Sequence, residues 1–436
     1  MRRVVITGCG ALTPRGDDVE SAWGSILSKQ SWIGNITKFD PSQMKSHVCG
    51  EVKITDELIE KYSKLISVKE RRRMDDVEYV SVITAFNALS DAGLIDKTKL
   101  QTEGENVFDL QNNGCSYDTN RFGTFIGSGI GGLKVLQEGI ITLHEKGPRR
   151  VSPFFLPAAL TNMSAGNVAL KFGLKGATMT HVSACASSTH SVGEAFEYIR
   201  NGKLDACVAG GTEMAVCEIG ITGFDTMNAL STKYNDNPAK ASRALDKDRD
   251  GFVMSEGSAI LVLEELGHAK ARGAKIYCEI AGYGASCDAH HITAPDAEGR
   301  GASRAMEIAI ADANMTAADI DYINLHGTST QMGDICEIKA IQNTFGEYAN
   351  KVAISSTKSI TGHLLGATGA LEAMFCTLAI KNQVVPPSAN IENLADECAG
   401  MNIVQEAKQQ EINTTLSNSF GFGGTNGCLV LKKYVD

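Results

Sequence analysis

Short runs rich in β-branched and small apolar residues recur along the whole chain, separated by stretches of helical periodicity, and this alternation limits the possible folds more than any other feature. The runs are Val4-Val5-Ile6-Thr7, Thr124-Phe125-Ile126-Gly127, Ala206–Gly210, Ala259–Leu263, Ile276–Ile280 and Tyr322–His326. Such runs read as buried strands, so an α/β fold with helices covering its sheets is expected. No Pro/Ser-rich linker or low-complexity tract marks an independent domain. One internal echo does divide the chain. Val4-Val5-Ile6-Thr7-Gly8-Cys9-Gly10-Ala11 resembles Cys278-Glu279-Ile280-Ala281-Gly282-Tyr283-Gly284-Ala285, which predicts two related halves, residues 1–275 and 276–436. The stretch from about 100 to 121, with Gln111-Asn112-Asn113-Gly114, reads as a polar surface loop.

Composition narrows the function classes. A net charge of -10 argues against a general nucleic-acid binder, and any acidic partner has to find a local basic patch. No run approaches the roughly 18 apolar residues of a membrane span, and Met1-Arg2-Arg3-Val4-Val5-Ile6-Thr7-Gly8 reads as a strand entering a glycine turn, not a signal peptide. A cytoplasmic protein without membrane partners is expected. The 12 cysteines are scattered with no C-x-x-C pair, so reduced thiols are expected, most of them small buried hydrophobes.

The chemistry concentrates in four segments. In Thr178–His190 a β-like run gives way to helical periodicity at Val192, Ala195, Phe196 and Ile199, and Cys185 falls at the turn. Unpaired N–H groups and the positive dipole end of a helix start are expected to lower the thiol pKa, and Ala184, Ala186, Ser187 and Ser188 leave room for a substrate. A structural cysteine at a helix start is the plainer alternative. His326 closes the run Asp321–Leu325 and opens Gly327-Thr328-Ser329-Thr330, at the carboxyl end of a strand, where open α/β sheets place ligands. His363 follows Lys358 in Ser355–Ala370, after the strand-like Val352–Ser355. Glu372, inside the apolar helix beyond it, would be a buried charge in need of a partner, and Lys358 is the candidate. A purely structural ion pair fits those two residues as well. Ser417–Gly427 is a glycine-dense bend between two strand-like runs; it can turn backbone N–H groups toward an oxyanion, or serve as a flexible hairpin.

With these four segments in this order, the chain resembles the elongating, long-chain type II β-ketoacyl-acyl-carrier-protein synthases of the thiolase superfamily. Ile126–Gly132, Val151–Phe155, Ala209–Thr212 and Asp248–Phe252 add to the likeness. The resemblance implies a thiolase-like five-layer αβαβα fold of two similar halves, a homodimer, and decarboxylative condensation of an acyl-enzyme thioester with malonyl-acyl-carrier protein. It assigns the nucleophile to Cys185, the oxyanion donors to the amides of Cys185 and Phe422, enolate stabilisation to His326 and His363, and ordering of the site to Lys358 with Glu372. It further implies that Thr328 and Thr330 hold the pantetheine arm, that Ile130 and Phe224 wall the acyl tunnel, and that Phe422 is a gate. Lys69, Arg71, Arg72 and Arg73 with Arg149 and Arg150 would receive the acidic carrier protein; core packing and a solvated helix face are the plain alternatives for the tunnel and the patch. Two departures from the common pattern stand out: a longer loop near 100–121, and Asn228 where many relatives carry a basic residue.

No cofactor or metal is expected. Gly127-Ser128-Gly129-Ile130-Gly131-Gly132 satisfies G-x-G-x-x-G after a strand, but a nicotinamide-binding dehydrogenase would leave Cys185, both histidine segments and the C-terminal glycine bend unexplained. Asp246–Gly251 imitates the start of a calcium loop, yet position twelve is Gly257 and not the required glutamate. A non-catalytic chain-length subunit would lack Cys185; a polyketide-type ketosynthase shares the Cys, His, His arrangement; a thiolase uses different motifs and no decarboxylation.

Overall fold

The structure is a computed structural model that describes residues 1–101, 107–115 and 117–436. Among them, one ten-stranded sheet runs through the molecule. Its strands are β1 (Val4–Leu12), β2 (Phe122–Gly127), β3 (Thr178–Met179), β4 (Ala206–Glu213), β5 (Gly257–Glu265), β6 (Cys278–Cys287), β7 (Tyr322–Asn324), β8 (Ala353–Ser355), β9 (Thr414–Gly421) and β10 (Thr425–Lys432). The spatial order is β8-β7-β9-β10-β6-β1-β5-β4-β2-β3. Cutting between β1 and β6 leaves two wings with the same plan. In the first, β1 pairs antiparallel with β5, β5 antiparallel with β4, and β4 and β2 continue in parallel to β3. In the second, β6 pairs antiparallel with β10, β10 antiparallel with β9, and β9 and β7 continue in parallel to β8. Within the sheet, the wings are joined where Val4–Ile6 pairs with Cys278–Ile280.

Six helices complete the layers: α1 (Asp76–Asp91), α2 (Met163–Phe172), α3 (Ser187–Arg200), α4 (Arg300–Asp312), α5 (Gln331–Phe345) and α6 (Thr368–Asn382). α1 and α2 cover the outer face of the first wing, α4 and α5 that of the second, and α3 and α6 lie between the wings, touching strands of both. Every residue of α6 from Thr368 to Ile380 is buried, which a helix tolerates only when apolar neighbours surround it.

The echo seen in the sequence has a packing cause. A Cβ on Gly10 would stand 2.3 Å from the Thr84 carbonyl oxygen of α1, and one on Gly284 would stand 2.1 Å from the Ala305 carbonyl oxygen of α4. Gly8 and Gly282 meet Ala88 and Ala309 one turn along, at 2.3 and 2.2 Å. Each wing thus presses a G-x-G strand against a small-residue helix ridge, an approach only glycine permits.

Expected strands and observed ones differ at their ends. The run at Ile276 starts two residues later and extends to Cys287, because β10 pairs along nearly its whole length. The run at Tyr322 stops at Asn324, leaving His326 in the loop beyond. Of the expected surface loop at 100–121, residues 102–106 and 116 lie outside the described residues; Gln111–Asn113 form a 3-10 turn closed by Gly114 at φ 72.

Candidate active site

The inner helices deliver the chemistry. The chain enters α3 through Ala184, held at φ 50, a left-handed backbone costly for a residue with a Cβ. Ser187 secures that bend: its hydroxyl accepts from the Ser183 N–H at 2.9 Å and donates to the Ala184 carbonyl at 2.6 Å. The bend turns Cys185 into a cavity of about 560 Å³. His326 and His363 reach the same point, and the sulfur and a ring nitrogen of each histidine lie within 4.8 Å of one another. The imidazoles meet edge to face, centroids 5.4 Å apart, with Phe420 against His326 and Phe252 against His363.

The backbone N–H groups of Cys185 and Phe422 both pull the thiol pKa down, and both residues line the cavity, which puts two backbone donors near the point where a carbonyl oxygen would rest during attack. Glycines permit this: a Cβ on Gly421 would be 3.2 Å from the Cys185 nitrogen and 2.7 Å from the Ser183 carbonyl oxygen. The expected low thiol pKa is not met. Cys185 keeps some surface toward the cavity, but burial pushes its thiol up to about 12, against the pull of Lys358 and the two amides. Desolvation of a thiolate outweighs a helix start here.

Lys358 donates to Glu372 at 2.6 Å, both side chains buried, inside the expected ion pair. Burial first, and the Lys358 charge second, hold the two imidazoles well below the usual histidine pKa, so both are neutral near pH 7. Burial likewise pushes Glu372 up to about 7. Three supporting residues escaped the sequence reading. Glu337 accepts from the N–H groups of His326 and Gly327 at 2.8 and 2.7 Å and from Asn418 at 3.0 Å, anchoring the histidine loop. Glu213 accepts from the N–H groups of Gly129 and Gly366 at 2.6 and 3.0 Å, tying the two wings. Thr368 Oγ1 stands 2.9 Å from His363 Nδ1. Each contact joins residues distant in sequence or rests on a side-chain direction that spacing does not reveal.

Phe224 and Phe422 wall the cavity with ring centroids 6.4 Å apart, and Thr328 and Thr330 line it, their hydroxyls 3.0 Å from each other. Ile130 is not on this wall; it packs with Phe224, Phe252 and Leu365 in a neighbouring apolar cluster. Asn228, also on the lining, accepts from the Lys45 ammonium at 2.7 Å, so a cation stands beside it after all. Of the basic residues, Arg71, Arg72, Arg73 and Arg150 share one surface groove. Lys69 and Arg149 are exposed outside its lining. Arg71 is committed to Asp76 and to the Tyr79 ring, and Arg73 lies over Phe154 at 4.6 Å.

Comparisons with known proteins cover the chain. The model described as beta-ketoacyl synthase, N-terminal domain, matches residues 1–269, and that of the C-terminal domain matches residues 277–392. The 3-oxoacyl-[acyl-carrier-protein] synthase 2 of Rhizobium meliloti is 44% identical over 436 residues, 100% of this chain and 99% of the relative. The protein of the same name from Vibrio cholerae is 45% identical, covering 99% of each. Among solved structures, a beta-ketoacyl synthase from Burkholderia phymatum superposes with a TM-score of 0.87 at 33% identity, with both chains fully covered. A type II PKS acyl-carrier protein in complex with its ketosynthase gives 0.87 at 30% identity, again over both whole chains.

Proposed function

The chain belongs to the β-ketoacyl synthase family, and from that premise we propose that Cys185, His326 and His363 carry out its condensing reaction in the cavity between the wings. It is a 3-oxoacyl-acyl-carrier-protein synthase of the type II kind, an acyltransferase of fatty acid elongation. Its substrates are thioesters on acyl carrier protein.

In the first half-reaction the Cys185 sulfur attacks the acyl carbonyl, and the oxyanion rests on the N–H groups of Cys185 and Phe422. The carrier thiolate leaves and takes up the proton that Cys185 gives up. A neutral thiol needs an acceptor for that proton during attack, and a neutral imidazole lies beside it. In the second, malonyl-carrier protein loses carbon dioxide; the electron pair of the broken C–C bond passes through an enolate, stabilised by His326 and His363, onto the acyl carbon. Cys185 departs as thiolate and is reprotonated, leaving a β-ketoacyl thioester two carbons longer. Neutral imidazoles suit this step, since each can present one N–H to the enolate oxygen. Lys358, paired with Glu372, fixes the electrostatics of both rings.

Thr328 and Thr330 would hold the pantetheine arm and Phe224 the acyl chain, with Phe422 closing the site. Ile130 would reach the chain only if the cluster it shares with Phe224 and Leu365 opens. Lys69, Arg72, Arg73, Arg149 and Arg150, which carry no ion pair among the described residues, form the carrier-docking face. Reversing two charges, Arg72→Glu with Arg73→Glu, is expected to raise KM for carrier-bound substrates by about tenfold with kcat nearly unchanged, an effect that shrinks in high salt. Two chains would pair through the edge strand β3, where Thr178 and Met179 are exposed and Val182, Leu156 and Leu160 add apolar surface; a sedimentation mass of two chains tests it. The halves would divide near residue 275.

The observation that carries this reading is the meeting of one sulfur and two imidazoles within 4.8 Å. Intact mass spectrometry after incubation with a long-chain acyl-carrier protein should show one acyl adduct on the protein, removed on adding malonyl-carrier protein as product forms. No adduct with any acyl length would overturn it.

A further inference from the structure

Thr368, the first residue of α6, is fully buried. Among the described residues its hydroxyl has one hydrogen-bond partner, His363 Nδ1, at 2.9 Å. Burial and the nearby Lys358 charge keep that ring neutral, so a single proton sits on either Nδ1 or Nε2. If Nδ1 carried it, Nδ1–H would donate to Oγ1 and the threonine hydrogen would be left buried with no acceptor. If Nε2 carries it, the threonine O–H donates to Nδ1, and the one donor left over, Nε2–H, belongs to a residue that lines the substrate cavity. A donor at a cavity wall can meet a substrate oxygen, whereas a threonine hydrogen locked in the interior has no acceptor to find.

We propose that Thr368 is a positioning residue: its hydroxyl donates to Nδ1 of His363 and thereby holds the ring proton on Nε2, facing the substrate. A ring nitrogen of His363 lies within 4.8 Å of the Cys185 sulfur, and His363 Nε2 is buried with no partner among the described residues. Its N–H is therefore kept free for a substrate oxygen, the thioester carbonyl that becomes an enolate as carbon dioxide leaves. In this tautomer Nε2 has no lone pair to accept the Cys185 proton. His326, whose ring has no hydrogen bond among the described residues to fix its tautomer, is the imidazole left for that task. The chemical consequence rests on the condensing reaction proposed above; the tautomer does not.

Two substitutions separate hydroxyl from shape. Thr368→Val keeps the branched side chain and loses the donor, whereas Thr368→Ser keeps the donor. In 15N NMR of histidine-labelled protein, with His363 assigned by the loss of its signals in His363→Asn, wild type and Thr368→Ser should show a protonated Nε2 and a bare Nδ1. Thr368→Val should show both tautomers. Carbon dioxide release from malonyl-carrier protein should fall at least about tenfold in Thr368→Val and stay within about twofold in Thr368→Ser. Acylation of Cys185 should change by less than about twofold in either, which also reports that the site is folded. A protonated Nδ1 in the wild type overturns the proposal whatever the variants do, as does a Thr368→Val protein with wild-type tautomer and wild-type decarboxylation. If the wild-type enzyme releases no carbon dioxide at all, the condensing mechanism fails, and the NMR result still decides the role of Thr368.

Discussion

Cys185→Ala is expected to form no acyl adduct and to lose chain extension by at least about 10⁴-fold, the scale at which a lost covalent nucleophile is felt. Its melting temperature should move by only a few degrees, because a sulfur at the edge of a cavity supports little packing. Decarboxylation should separate from condensation. The histidines and the Phe422 amide remain in the variant, so malonyl-carrier protein should still lose carbon dioxide, within about tenfold of the wild-type rate, and release the acetyl thioester. A variant that still extends chains would remove Cys185 from the mechanism. The wild-type thiol gives a companion signature. Pushed up to about 12 by burial, it is protonated in the free enzyme, so alkylation by a small electrophile should keep climbing with pH above 8.5 instead of levelling off below it. Folding follows the same sign. Between the unfolded thiol value and about 12 the folded state holds the extra proton, so this group lowers stability as pH rises through that window.

The sequence carried the strand-helix alternation, the glycine echo and the four chemical segments because each is local. A G-x-G strand leaves its mark wherever it presses on a helix, and Cys185 and His326 lie just before a helix start and just beyond a strand end that spacing reveals. The two wings were less legible. β3 has two residues and β7 and β8 three each, too short for a period to declare itself, so the matching strand order emerges only from pairing across the sheet. Electrostatics were legible in kind but not in balance: the helix start at Cys185 was readable, while the burial that outweighs it arises in a cavity lined by Phe252, Phe420 and Phe422 from other segments. The same holds for Ile130. The family resemblance implied a tunnel wall there, and only the apolar cluster it shares with Phe224, Phe252 and Leu365 shows that it lies off the open cavity.

Lys358→Met should be the most destabilising single change at the site, by about 3–5 kcal/mol, because Glu372, already pushed up to about 7 by burial, loses its counter-charge and hydrogen-bond donor and must take up a proton in the interior. The double variant Lys358→Met with Glu372→Met should recover most of that loss, since replacing both partners of a buried pair by apolar groups is close to neutral. Recovered stability would not mean recovered chemistry. In the wild type the Lys358 charge adds to burial in keeping His326 and His363 unprotonated. With it gone, both rings gain protons more readily, and the acid limb of the pH–rate profile should move toward neutral pH. Stability gives an independent reading of the same charge. Depressed histidines bind fewer protons folded than unfolded below the unfolded value of about 6.5, so wild-type stability falls as pH drops through that value. In the double variant that fall should be shallower, because the folded histidines then titrate nearer to the unfolded ones. Urea denaturation from pH 5 to 8, beside the pH–rate profile, reads both effects. A double variant with recovered stability and an unmoved acid limb would reduce Lys358 to a structural partner of Glu372, and would leave burial alone as the reason the two imidazoles stay neutral.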